Sequence, residues 1–148
     1  MKTIARNTID DCNTFSENTP KIKMRNGKCL PFNNNEVQNY LLTNLSSKSK
    51  VNCSNIIAPR QIASNCWFNT MFMSFFISDK GRKFFRFFRQ LMIKGIKSNG
   101  DPIAKNLHIA LFKLNMAIEA VLGSNKEKNN PVSRKMALDM NTNIIIQR

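Results

Sequence analysis

The chain has 148 residues, of which 42% are hydrophobic, a size that suits one domain with a modest core and hardly two. Lysine and arginine together number 23 against 9 acidic residues, and the resulting net charge of +14 favours anionic partners such as nucleic acid, acidic protein or anionic lipid. No stretch of the sequence reaches the roughly 18 uninterrupted apolar residues of a membrane-spanning helix, so we expect a soluble protein without a membrane span.

The cysteines bear on the compartment and on metal binding. Four are present, and none of them forms a CxxC pair; they are Cys12, Cys29, Cys53 and Cys66. The first residues also lack the apolar core of a signal peptide, so we expect reduced thiols and an intracellular location. Their spacing is irregular for zinc ligands even if His108 is included, and we predict neither a metal site nor a cofactor.

Residues 1–58 form a polar, asparagine-rich segment that we expect to be partly irregular. Two short islands within it have regular patterns. Residues 21–25 alternate like a strand and precede the turn signal Asn26-Gly27, while residues 36–45 could form a short helix.

Residues 59–148 are predicted to form a helical domain. The first helix, over residues 66–77, is apolar on nearly all sides, which indicates a buried helix. Ser78 can cap a second helix that continues to Lys94 and stops before Gly95.

Asp101-Pro102 is a good start for a third helix, which would reach Leu122 and bury one face. That face would contain the apolar residues at helical spacing, namely Ile103, Leu107, Ala110, Leu111, Leu114, Ile118, Val121 and Leu122. A shorter helix over residues 131–139 and a strand over residues 144–146 would follow. The predicted fold class is therefore mainly α (α+β) with few strands.

Cys66 is a candidate nucleophile because it begins the first of these helices. Thiolate is the reactive form of cysteine, and the partial positive charge of a helix N-terminus stabilises thiolate over thiol. The alternative is structural, since cysteine is among the residues most often buried and Cys66, Trp67 and Phe68 could all belong to the core.

The segment around Cys66 resembles the cysteine box of the ubiquitin-specific proteases. In residues 65–70, Asn-Cys-Trp-Phe-Asn-Thr, the cysteine is followed by an aromatic residue, an apolar residue, asparagine and threonine, and Gln61 stands five positions earlier. The resemblance implies a papain-like helical lobe with Cys66 at the start of a buried central helix. It also implies that Cys66 attacks the carbonyl of a ubiquitin-like or peptide substrate while Gln61 donates to the oxyanion. The sequence departs from the pattern at Ala63 and Ser64, where glycine is usual, and at Met73, where glutamine is usual.

A thiol protease also needs a general base, and His108 is the one histidine of the chain. It is therefore the candidate for that role. However, it lies in the third predicted helix at the border of an apolar stripe, which favours a packing role. The family places its histidine far downstream, so the cysteine-box module would be incomplete or inactive here.

Residues 80–94 combine basic and aromatic side chains, and they are a candidate binding surface for nucleic acid or for an acidic partner. The basic residues assigned to it are Arg82, Lys83, Arg86 and Arg89. An amphipathic helix that lies on an anionic membrane has the same pattern. For the aromatic residues we favour a place in the core, with the arginines on the solvated side.

Two functions therefore remain open. The leading one is a cysteine peptidase-like module, and the alternative is a non-enzymatic basic protein that binds nucleic acid or acidic proteins. The abundance of asparagine, isoleucine and lysine together with the cysteine box resembles proteins of large DNA viruses with AT-rich genomes. That resemblance implies a place in the host cytoplasm or the virion.

Overall fold

The computed structural model describes residues 12, 14, 19–46, 51, 53–56 and 66–122. In chain order these residues form a two-stranded hairpin, a helix, a short 3-10 turn and four further helices, the first of which continues as a π-helix. The elements are β1 (Lys21–Lys23), β2 (Cys29–Pro31), α1 (Asn35–Ser46), the 3-10 turn (Cys53–Asn55), α2 (Cys66–Phe72), the π-helix (Met73–Ile77), α3 (Asp79–Phe84), α4 (Arg86–Lys94) and α5 (Lys105–Val121). The described part of the chain is mainly helical, as predicted.

The predicted strand pairs with a second strand, which the sequence pattern did not predict, and the two form a hairpin. β1 and β2 pair in antiparallel fashion, with Ile22 opposite Leu30. In the turn between them Gly27 has a φ of 82°, a conformation that glycine adopts without steric cost. The Asn26 side-chain oxygen accepts a hydrogen bond of 3.0 Å from the Lys28 N–H. The predicted strand is thereby confirmed, over three residues rather than five.

A disulfide joins Cys12 to Cys29, the first residue of β2. The prediction that all four cysteines are reduced is therefore wrong for this pair. The two residues lie 17 positions apart, so the fold brings them together, and no local spacing reveals the pairing. Cys53 and Cys66 are free and exposed.

α1 packs the hairpin onto the later helices. Its start is capped by Asn34, whose side-chain oxygen accepts a hydrogen bond of 2.8 Å from the Glu36 N–H. Val37 and Leu41, one turn apart, are buried. They belong to what we call the hairpin cluster, which consists of Ile22, Phe32, Val37, Leu41, Ile93, Ile109 and Phe112. Residues on both sides of position 58 thus share a core. The predicted boundary itself lies outside the described residues.

The helix predicted over residues 66–77 forms as α2 and the π-helix, but it is not buried on all sides. Phe72, Phe76 and Ile77 face the core, while one stripe of apolar side chains faces solvent. The buried side chains pack with α4 and α5 in what we call the α2 cluster: Phe72, Phe76, Ile77, Met92, Ala117, Ile118, Ala120 and Val121. The expectation of a fully buried helix is therefore wrong. Apolar residues on nearly all sides of a helix do not by themselves show which sides other helices will cover.

The helix predicted from Ser78 to Lys94 is present with one irregularity. The Ser78 hydroxyl oxygen accepts a hydrogen bond of 3.1 Å from the Gly81 N–H, which confirms the predicted cap. A turn at Phe85 separates α3 from α4, although the Phe85 and Arg89 N–H groups still donate to carbonyl oxygens four residues earlier. Gly95, with a φ of 66°, ends α4 where the sequence predicts.

α5 begins later than predicted. Asp101-Pro102 does not start a helix, because Pro102 pairs with Ile96 in an isolated β-bridge and the Ile103 N–H donates to the Gly95 carbonyl. The first helical residue is Lys105. The buried face also differs from the predicted one: Ile118 and Val121 are buried as expected, but Leu107 and Ala110 are exposed, and Ile109 and Phe112 take their places. The helix and strand predicted after residue 130 lie outside the described residues.

Candidate functional site

Cys66 occupies the position that the sequence predicts, the first residue of α2. Its thiol is free and exposed, so the alternative of a buried core cysteine is wrong. The Cys66 carbonyl accepts a hydrogen bond of 2.9 Å from the Thr70 hydroxyl, which ties two residues of the cysteine box together within one turn. No residue of the described ranges forms a hydrogen bond with the thiol itself. Gln61, the predicted oxyanion donor, lies outside these ranges.

His108 packs against Phe32 of the hairpin cluster. Its ring stands edge-on to the Phe32 ring, with centroids 4.9 Å apart. Its Nε2 lies 3.0 Å from the Ile93 carbonyl oxygen, and since a carbonyl can only accept, Nε2 carries the proton and donates. A side chain at Gly95 would collide with the imidazole, so the helix end and the histidine pack closely together.

The structure does not bring His108 to Cys66. The imidazole contacts Phe32 and the Ile93 carbonyl, which belong to the hairpin cluster. Cys66 instead lies at the exposed start of α2, whose Phe72 packs in the α2 cluster. Among the described residues, the contacts of His108 therefore do not include Cys66.

The aromatic residues of α3 and α4 do not occupy the core as favoured from the sequence. Phe84 and Phe87 are each 79% exposed, and Phe88 is exposed as well. Only Phe85, half-buried, packs against the α2 cluster. The interpretation that the phenylalanines are buried and the arginines solvated is therefore wrong for these residues.

The burial of Arg89 explains why the phenylalanines of α3 and α4 are exposed instead of buried. It is only 3% exposed, and its guanidinium donates three hydrogen bonds to α5. Nε and one terminal nitrogen reach the Asn115 side-chain oxygen at 3.1 and 3.0 Å, and the same terminal nitrogen reaches a Glu119 carboxylate oxygen at 2.9 Å. Burial lowers the pKa of Arg89 from its usual value, and the Glu119 carboxylate opposes this shift. The assignment of Arg89 to a binding surface is wrong, because the guanidinium is enclosed between α4 and α5.

This inward position of Arg89 determines what α4 exposes. Successive helical residues are rotated by about 100°, so Phe87 lies roughly 160° from Arg89 around the axis. Since α3 and α4 remain nearly continuous in their hydrogen bonding, Phe84 points to a similar side. Phe88, at about 100° from Arg89, lies between the buried and the solvent-facing sides. Phe84 and Phe87, which lie opposite Arg89, are accordingly more exposed than Phe88.

Of the other predicted basic residues, Lys83 and Arg86 are exposed. Arg82 is half-buried and forms an ion pair with Asp79, one turn earlier in the helix. Lys80, which was not among the assigned residues, is also exposed in the first turn of α3. The exposed basic residues of α3 and of the first turn of α4 are therefore Lys80, Lys83 and Arg86.

A second set of exposed apolar side chains extends this surface onto α2 and the π-helix. Trp67, Met71 and Phe75 succeed one another at intervals of four residues, and all three are exposed. The Phe75 ring lies 5.0 Å from the Phe85 ring, which in turn lies 5.0 Å from the Phe84 ring. We call the joined set the aromatic surface; it consists of Trp67, Met71, Phe75, Phe84, Phe87 and Phe88. The four-residue spacing in the sequence was a signal for this stripe, but it did not tell which side faced outwards.

Within the described ranges no group of three or more histidine, cysteine, aspartate or glutamate side chains is placed to hold a metal ion. None of the helices described is long and apolar enough to cross a membrane. Comparison with models of protein families, with curated proteins and with solved structures gave no match to this chain.

The Arg89 network leads to a prediction about stability. Arg89→Met keeps the length of the side chain but removes the Arg89 cation from the buried Glu119 carboxylate, so the free energy of unfolding in urea should fall by about 3 kcal/mol. The matched control is Arg82→Met, which removes a partner from the exposed Asp79 carboxylate and should cost at most about 1 kcal/mol. The double variant Arg89→Met/Glu119→Met should recover part of the loss. Equal effects of Arg89→Met and Arg82→Met would contradict this account.

Proposed function

We propose that this chain is a non-enzymatic binding protein that holds a polyanionic partner through the exposed basic side chains of α3 and α4. The observation that carries the proposal is the position of Lys80, Lys83 and Arg86, all solvent-exposed, directly beside the aromatic surface. Charged and apolar groups that are both exposed on one face are typical of an interaction site.

The electrostatics of the whole chain support the same function. A net charge of +14 attracts anions over distances of a Debye length, about 8–10 Å at physiological salt. Of the four basic residues assigned from the sequence, Arg89 is enclosed in the fold and Arg82 is engaged with Asp79. Lys83 and Arg86 are therefore the ones that we expect to contact phosphate or carboxylate groups, together with Lys80.

A cysteine peptidase-like module is the second candidate. It is supported by the free, exposed thiol of Cys66 at the first residue of α2 and by the cysteine-box resemblance. In this proposal the helical part would be a papain-like lobe with α2 as its central helix. The Cys66 thiolate would attack the carbonyl of a peptide or isopeptide bond, and Gln61 would donate to the oxyanion. His108, bound to Ile93 in the hairpin cluster, is not placed to act as the base.

The binding proposal predicts the effect of charge reversal. The full chain should bind a fluorescein-labelled single-stranded DNA 20-mer, with an affinity that falls steeply as salt is raised. Lys83→Glu/Arg86→Glu should weaken binding by roughly tenfold or more, measured by fluorescence anisotropy. Lys97→Glu/Lys105→Glu is the matched control, because it changes the net charge equally at exposed positions beyond the end of α4. An equal loss in both variants would indicate unspecific attraction and contradict the proposed surface.

The peptidase candidate predicts a difference between the two free thiols. Ubiquitin with an electrophilic C-terminus should form an adduct at Cys66 and not at Cys53, although both thiols are exposed. Mass spectrometry of Cys66→Ala and Cys53→Ala, with iodoacetamide as the general thiol reagent, separates recognition from plain reactivity. If the ubiquitin probe modifies Cys66 no faster than Cys53, the peptidase candidate is excluded.

A further inference from the structure

We propose that the aromatic surface docks onto an anionic phospholipid bilayer, with Phe84 and Phe87 inserted among the lipids and the neighbouring basic side chains on the headgroups. This inference rests on the proposed function, because it takes the same basic residues and names the partner that they bind. It concerns attachment to one face of a membrane and involves no membrane-spanning segment.

The shape of the surface favours insertion. Phe84 and Phe87 are both 79% exposed, so they project from the fold rather than line a groove. Together with Trp67, Met71 and Phe75 they form an apolar area that extends over two helical segments and is joined through the Phe85 ring. Interfacial membrane segments have this composition, with tryptophan and phenylalanine on the side that enters the boundary between headgroups and acyl chains.

The placement of the charges fits the same partner. Lys80 and Lys83 precede Phe84 and Phe87 by one helical turn each, so each ammonium group lies next to a projecting ring. Long basic side chains can keep their charges at the level of the headgroups while their stems and the adjacent rings enter the apolar layer. Anionic lipids add an attraction for each such lysine or arginine near the surface.

The charge also disfavours a second copy of this chain as the partner of the aromatic surface. Two copies that met through the aromatic surface would bring Lys80, Lys83 and Arg86 of one copy towards the same residues of the other, and each chain carries a net charge of +14. Like charges that face each other across an interface oppose association. An anionic surface turns the same side chains into favourable contacts.

Nucleic acid matches the basic residues but matches the aromatic surface less well. Bases stack on ring faces that lie open as a platform. The Phe84 ring stands at 73° to the Phe85 ring, so the two rings do not form one flat platform, and Met71, in the same surface, offers no ring for stacking. Insertion among acyl chains needs no such alignment, since it depends on apolar area alone.

The chain contains a natural reporter for the test. Its one tryptophan, Trp67, lies in the aromatic surface. On titration of the full chain with vesicles of phosphatidylcholine and phosphatidylserine at 7:3, Trp67 emission should shift to shorter wavelength, and phosphatidylcholine brominated on its acyl chains should quench it. Vesicles of phosphatidylcholine alone should bind at least roughly tenfold more weakly, because they lack the anionic headgroups.

Variants separate insertion from plain charge attraction. Phe84→Ser/Phe87→Ser should reduce vesicle affinity by at least roughly tenfold and weaken binding of the single-stranded DNA 20-mer much less, because the basic side chains hold the DNA. Ile96→Ser/Leu107→Ser is the matched control, since Ile96 and Leu107 are 47% and 51% exposed outside the aromatic surface, and it should bind vesicles normally. Circular dichroism checks that each variant is folded. The quenching of Trp67 by brominated lipid is measured in the unmodified chain, so this result does not depend on the folding of a variant.

The outcomes distinguish this inference from the proposed function. If the full chain binds DNA in a salt-dependent way but neither binds vesicles nor shows quenching by brominated lipid, the bilayer inference is overturned and the polyanion proposal stands. If it binds neither DNA nor anionic vesicles, both fail. If the Phe84→Ser/Phe87→Ser variant binds vesicles as tightly as the unmodified chain, the insertion of these rings is also overturned.

Discussion

The contact of Arg89 with Asn115 and Glu119 is the constraint on which the arrangement of the helices depends. It joins α4 to α5 by three charge-assisted hydrogen bonds inside the fold, and it fixes how α4 is rotated about its axis. With Arg89 facing inwards, Met92 and Ile93 enter the two clusters, and Phe84 and Phe87 are left on the opposite side. A rotation that buried Phe87 would pull the guanidinium away from α5. A buried charge without its partner costs more than an exposed phenylalanine, so the aromatic residues remain outside.

Local signals allowed part of this fold to be predicted from the sequence. The Asn26-Gly27 turn, the Ser78 cap, the end of α4 at Gly95 and the extent of α1 depend on a few neighbouring residues, and all of them are present. The orientation of α4 could not be read in this way, because its inner face is decided by side chains of α5. One signal was available: Asn115 and Glu119 are one turn apart next to the apolar stripe of α5, which marks a place for a buried cation. The Cys12–Cys29 disulfide and the start of α5 likewise depend on contacts between distant residues.

The candidate site, like the fold, could be predicted from the sequence only where it depends on neighbouring residues. Cys66 at the start of α2 was predicted from its immediate neighbours, whereas the contacts of His108 with Phe32 and Ile93 depend on how distant elements pack. Both candidate functions nevertheless concern one region of the molecule. Cys66 directly precedes Trp67, the first residue of the aromatic surface, so a partner on that surface would lie next to the free thiol. Phe75, at the other end of the exposed stripe that begins with Trp67, contacts Phe85, and through this contact the π-helix packs beside α3 and α4.

The rotation of α4 is tested most directly by measuring which of its side chains solvent can reach. In a Cys53→Ser/Cys66→Ser background, the variants Phe87→Cys and Met92→Cys each carry one free thiol, and their rates of reaction with a small maleimide can be compared. We expect the Phe87→Cys variant to react at nearly the rate of an unfolded peptide, and the Met92→Cys variant to react at least roughly a hundredfold more slowly, because its thiol must wait for local opening. A protected thiol at position 87 would show that α4 buries its aromatic side, and the account would then be contradicted.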